Sequence, residues 1–182
     1  MMMSKIYKII LLIVFVFIAI FSANYLMLQR HMNTILKEDI RNNGIKVWVH
    51  YKWFINPTEL KYDLRSITGE NSSLDVNRVM LQFAEKIKDK QFNKIYLGYK
   101  GKDKFYFKGD FFQNLGKEYG LQNPVYTLRT MPENVYLLNG EHAYGVWEGG
   151  WLGVMGKQME DLNTFSKDWF LDDTISEMNK AP

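Results

Sequence analysis

Apolar and polar positions divide the chain into one unbroken apolar run followed by short alternating and helical stretches. Residues 9–28 hold no charged side chain. At about 1.5 Å of rise per residue they reach roughly 30 Å, the thickness of the hydrocarbon core of a bilayer. The run predicts a transmembrane anchor whose partner is lipid, preceded by a short basic tail over residues 1–8 with Lys5 and Lys8. A cleaved secretory signal fits less well. Cutting after Ala23 or Ser22 would put Phe21 or Ile20 at the third-last position, where cleavage needs a small residue. Beyond the anchor, Met32, Ile35, Leu36 and Ile40 recur at helical spacing. They predict a juxtamembrane helical stalk over residues 29–44, its apolar stripe either packed on its own domain or forming a dimer seam.

The remainder alternates. Val47, Val49, Tyr51, Trp53 and Ile55 against Trp48, His50 and Lys52 predict a strand; Leu60, Tyr62 and Leu64 predict a second one returning beside it. Ser72 and Asp75 form a capping signature for a helix with Val76, Val79, Met80, Phe83 and Ile87 on one face. Ile95, Leu97, Phe105 and Phe107 mark the inward side of another hairpin, turning at Lys100-Gly101. A short helix follows from Asp110 to Gly120, then strands over residues 125–130 and 134–138. Asn139-Gly140 is a strong hairpin signal that should pair the latter strand with residues 143–147. Met159, Leu162, Phe165, Trp169 and Phe170 predict a closing helix, and residues 172–182 a polar, loosely held tail. The expected fold is α+β: an N-terminal transmembrane helix, then one mainly antiparallel sheet domain with about three helices over residues 45–171. A domain of this size should fold without the anchor, from near Asn43 onward.

Charge and composition narrow the function. The net charge of +3 owes most to Lys5 and Lys8, so the domain itself is nearly neutral and no nucleic-acid partner is expected. The chain has no cysteine, which excludes disulfides, thiolate nucleophiles, lipoprotein acylation and cysteine-ligated metals. The basic tail before the anchor favours a cytoplasmic N-terminus, with residues 29–182 periplasmic or extracellular on a bacterial cytoplasmic membrane.

Candidate chemistry concentrates between Gly140 and Lys157. Glu141, His142 and Glu148 are the candidate catalytic residues; a pair such as Glu141 and Glu148, or Glu160 and Asp161, among aromatic rings would suit glycoside cleavage if the carboxylates were correctly spaced. The glycines fit neither the P-loop nor the dinucleotide spacing, and no HExxH or GxSxG is present; no cofactor and no metal are expected. Trp151, Leu152 and Met155 then read as a glycine-rich apolar loop, either packed on the core or gripping a protein partner. The lysines at 94, 100, 102, 104 and 108 read as protection of an exposed strand, with an anion site as the alternative. These patterns lead to a membrane-tethered binding or assembly domain of the cell envelope. The alternative is an envelope hydrolase working through carboxylates on a cell-wall or carbohydrate substrate.

Overall fold

A computed structural model describes residues 2–180. Met1, Ala181 and Pro182, at the ends of the two expected tails, lie outside the described residues. One long helix opens the chain: α1 (Met2–Asn24), a π-helical turn (Tyr25–Gln29) and α2 (Arg30–Glu38) run on without a break. Over Lys5–Glu38 it is long and apolar enough to cross a membrane, a property that signal sequences share. It ends at Glu38 and not at Asn43, because Asp39 is extended and its carboxylate accepts from the Arg41 N–H to start a separate 3-10 turn (Ile40–Asn42).

The domain is built on a five-stranded mixed sheet in the order β1 (Lys46–Lys52), β2 (Asn56–Ser66), β3 (Lys94–Tyr99), β4 (Lys102–Lys108), β5 (Val135–Leu137). The first two of the three expected hairpins form. β1 pairs antiparallel with β2, and β3 with β4 through a turn whose Lys100 and Gly101 both have positive φ. The departure from an antiparallel sheet is β2 against β3, which run parallel because α3 (Ser73–Lys86) crosses between them. The reciprocal Ser72 and Asp75 capping box starts α3 as the sequence predicts.

Five helices follow the N-terminal one, where about three are expected. Besides α3 they are α4 (Gly109–Glu118), α5 (Pro124–Thr130), α6 (Trp151–Ser166) and α7 (Asp172–Met178). Residues 125–130 are a helix and not the predicted strand. Asn123 accepts from the Val125 N–H at 2.9 Å and Pro124 supplies a preset first-turn φ, so local capping overrides the β-branched character of the segment. The Asn139-Gly140 turn forms, yet the strand meant to return from it is reduced to a single Tyr136–His142 bridge. Tyr144 and Trp147 leave the sheet, the Tyr144 hydroxyl donating to Asp168 and Trp147 Nε1 to Asp161 on the far side of the chain. The C-terminal stretch also differs from a loose tail: α7 buries Thr174, whose hydroxyl bonds Tyr99, and Glu177 pairs with Lys100.

One sheet face carries the core. Val47, Val49, Leu60, Tyr62, Leu64, Ile95, Leu97 and Phe107 meet α3 and a second π-turn (Lys167–Leu171), where Trp169 lies 6.0 Å from the Tyr62 ring. The stalk joins this core, since Leu28, Met32 and Ile35 are buried in it. α4 lies directly on α3 through Gly116, where an added Cβ would stand 2.2 Å from the Ala84 carbonyl oxygen. Alanine normally gains about 1 kcal/mol over glycine in a helix, but here the two backbones would have to part. Gly116→Ala is therefore expected to lower stability by ~1–3 kcal/mol. Gly153→Ala on α6, with nothing within 4 Å of the new Cβ, should raise it by ~0.5–1 kcal/mol. Urea melts of the two variants check that the signs are opposite.

The opposite sheet face is polar and aromatic, and four of the five lysines find partners on it or on α7. Lys94 and Lys108 lie over the rings of Tyr106 and Tyr136 at 4.4 and 4.7 Å, while Lys100 and Lys104 pair with Glu177 and Asp173. β3 is an interior strand, whereas β5 covers β4 only over Phe105–Phe107, so Lys102 and Lys104 stand on a stretch of β4 that no strand pairs on that side, as the protective reading expects.

Candidate functional site

The stretch from Trp151 onward is helix where the glycines predict a loop. Gly150 is the extended residue before α6, and the helix continues through Gly153 and Gly156. The buried stripe of α6 and the π-turn after it is Gln158, Leu162, Phe165 and Trp169, so Met159, expected on that stripe, faces outward. The first two turns stand clear of the core. Trp151 and Leu152 are 66% and 71% exposed, Met155 is half-buried, and a Cβ added at Gly153 or Gly156 would meet nothing within 4 Å beyond its own helix.

A cleft of about 590 Å³ opens between these turns, α5 and the preceding loop, with Trp151, Trp147 and Tyr126 among its walls. Arg129, Glu133 and Gln158 line it as well. Gln158 is buried and joins the two charged groups: its Oε1 accepts from Arg129 Nη1, and its Nε2 donates to Glu133 Oε1 at 2.5 Å. The amide thereby holds a cation and an anion apart while satisfying both of its own ends. Arg129 also stacks over the Tyr126 ring at 5.0 Å. A guanidinium has five N–H donors, so Arg129 retains donors for a ligand's carbonyl or carboxylate. Asp161 fixes Trp147 at 2.6 Å, and Lys157 lies 5.5 Å from the same ring.

The candidate catalytic residues are not assembled into this cleft. Glu141 is exposed on the Asn139-Gly140 turn, with Oε2 accepting from Asn139 Nδ2 at 2.9 Å. His142 lies 3.0 Å from the Glu133 carbonyl oxygen through Nδ1. Glu148 is exposed beside Trp147, outside the residues lining the cleft. The carboxylates that do line it are Glu118 and Glu133, the latter bonded to Gln158 of α6. Among the described residues, no group of three or more His, Asp or Glu side chains is placed to hold a metal ion.

Sequence reasoning passed over Arg129, Glu133 and Gln158. One signal was available: Gln158 stands four and seven residues before Leu162 and Phe165, a polar group in the phase of the apolar stripe, and buried amides require partners. Gln158 lies 29 residues from Arg129 and 25 from Glu133, a separation across which spacing reveals no pairing. Comparison with protein-family models, with curated proteins and with solved structures finds no match to this chain.

Proposed function

We propose that this chain is a membrane-tethered binding or assembly domain of a bacterial envelope, its domain on the outer side of the cytoplasmic membrane and its cleft holding a segment of a protein partner. The observation that carries this reading is the projecting start of α6. Trp151 and Leu152 are exposed beside a cleft with a satisfied polar floor. A partner segment would cover the two apolar side chains while Arg129 meets its backbone carbonyls or terminal carboxylate. Exposed aromatic residues beside a pocket are the usual centre of such interfaces. The hydrolase reading is less favoured because neither of its proposed pairs, Glu141 with Glu148 or Glu160 with Asp161, is among the residues lining the cleft.

Trp151→Ala tests the proposal. With the side chain two-thirds exposed, the melting temperature should stay within a few degrees of the parent. Loss of an interface anchor commonly costs 2 kcal/mol or more, about thirtyfold in affinity. Partners crosslinked to the parent chain in membranes should therefore be lost from the variant. Capture of the same partner with unchanged yield would reject the cleft as the binding site.

A further inference from the structure

The domain does not hang from its anchor on a flexible link. β1 is an edge strand, and two amides of the long helix satisfy its outward backbone groups. Asn24 Oδ1 accepts from the Tyr51 N–H at 2.8 Å, Gln29 Oε1 accepts from the Val49 N–H at 2.8 Å, and Gln29 Nε2 donates to the Val47 carbonyl at 3.1 Å. Asn24 Nδ2 also donates to the Phe54 carbonyl at 2.8 Å, and the Phe21 and Phe54 rings lie 5.0 Å apart. The β1–β2 turn is thus bonded to the helix at the level of residues 21–24.

That level falls inside the apolar span. About twenty residues are needed to cross the hydrocarbon core, and counting from Ile9, just past Lys8, reaches Leu28. Leu28 is already fully buried in the domain, so the domain attaches before the span is complete. At about 1.5 Å per residue, the attachment at Asn24 lies roughly 6 Å short of the outer boundary.

At this level both the turn and the helix expose apolar side chains. Trp53 and Ile55, at the turn, are 76% and 67% exposed, and Tyr25, Leu26 and Met27 are exposed on the helix beside them. Trp53 and Phe54 both have positive φ, at 55° and 65°. A bulky residue in that region costs about 1–2 kcal/mol, where asparagine and glycine would form the turn without strain. Aromatic side chains are held here against the local backbone preference. Just above, Lys90 Nζ lies 3.9 Å from Met27 Sδ. That puts a cation, Lys90, at the level where headgroup phosphates would lie.

We propose that the turn Trp53-Phe54-Ile55 is a second membrane contact, seated in the headgroup and acyl boundary of the bilayer that the N-terminal helix spans, and that it fixes the tilt of the domain on that surface. The inference rests on the spanning reading of the helix. Tryptophan suits that boundary, with an apolar ring and a polar N–H. With a helix rigidly bonded to the domain on one side and an apolar turn on the other, the cleft beside α6 is carried at a constant orientation to the membrane.

The absence of native cysteine permits single nitroxide labels. Trp53→Cys, Ile55→Cys, Ile13→Cys and Leu121→Cys are each labelled in the full chain and reconstituted into phosphatidylethanolamine and phosphatidylglycerol vesicles. Accessibility to oxygen and to a nickel chelate is then read by power saturation. The oxygen-to-nickel ratio at 53 and 55 should be several-fold higher than at Leu121, which is 86% exposed, and should approach the ratio at 13. Labels at 53 and 55 as water-accessible as the one at 121, with 13 in lipid, overturn the inference and leave the spanning helix standing. A water-accessible label at 13 overturns the spanning reading itself and the inference with it. The two turn positions are exposed, so each variant is expected to keep the parent melting temperature, and either one alone decides the question.

Discussion

A fragment beginning at Asn43 is expected to lack a cooperative native state, whereas a fragment beginning at Asn24 folds. The sequence divides the chain between an anchor with its stalk and a domain that starts after Asn43. The core crosses that line, because Leu28, Met32 and Ile35 are buried among the residues of β1 and α3. Full burial of an aliphatic or methionine side chain contributes about 1.5–3 kcal/mol, so removing three forfeits roughly 5–9 kcal/mol. Whole domains are stable by only about 5–15 kcal/mol. The shorter fragment also loses Gln29 and Asn24 from the β1 edge, leaving Val47, Val49 and Tyr51 with open backbone groups and an aggregation-prone edge. Near-ultraviolet circular dichroism and urea melts of the two fragments test this; equal midpoints would show that the stalk is not part of the folding unit.

Trp169→Ala should cost far more stability than Trp151→Ala, for which only a mild change is expected. Trp169 is fully buried, stacks on Phe165 at 5.4 Å, and its Nε1 donates to the Gly98 carbonyl at 3.1 Å. Truncation removes those contacts and leaves a cavity under the centre of the sheet, typically at a cost of ~3–5 kcal/mol. It also leaves the Gly98 carbonyl without its partner. For a domain of this size the melting temperature should fall by roughly 10 °C or more. Trp169→Phe separates the two effects: the ring volume is mostly kept and the hydrogen bond is lost, for about 1–3 kcal/mol. If the alanine variant melts within two or three degrees of the parent, Trp169 is not central to the core.

What could be read directly were the local periods and their punctuation. The alternation of Val47 and Val49 with Trp48, and of Ile95 and Leu97 with Tyr96, marks inward faces that the sheet does bury. The Ser72 and Asp75 box and the Lys100-Gly101 turn act within four residues, so tertiary contacts had little scope to override them. Errors arose where two local signals competed. Asn123-Pro124 started a helix that the β-branched residues after it argued against, and the glycines around Trp151 hid the helix that Leu162 and Phe165 continue.

By itself, then, the sequence determined an apolar helix long enough to cross a bilayer, two hairpins and the capped α3, because each depends on neighbours within a few positions. Tertiary structure alone decided that β2 and β3 run parallel, that the stalk enters the core, and that Arg129 and Glu133 meet through Gln158 beside Trp151. It also brought the strained Trp53-Phe54 turn to Phe21 and Asn24. The physical reason is the same in each case: these contacts join separate elements of the chain, and their partners are chosen by which faces remain to be buried and which backbone groups remain to be bonded once the sheet has formed.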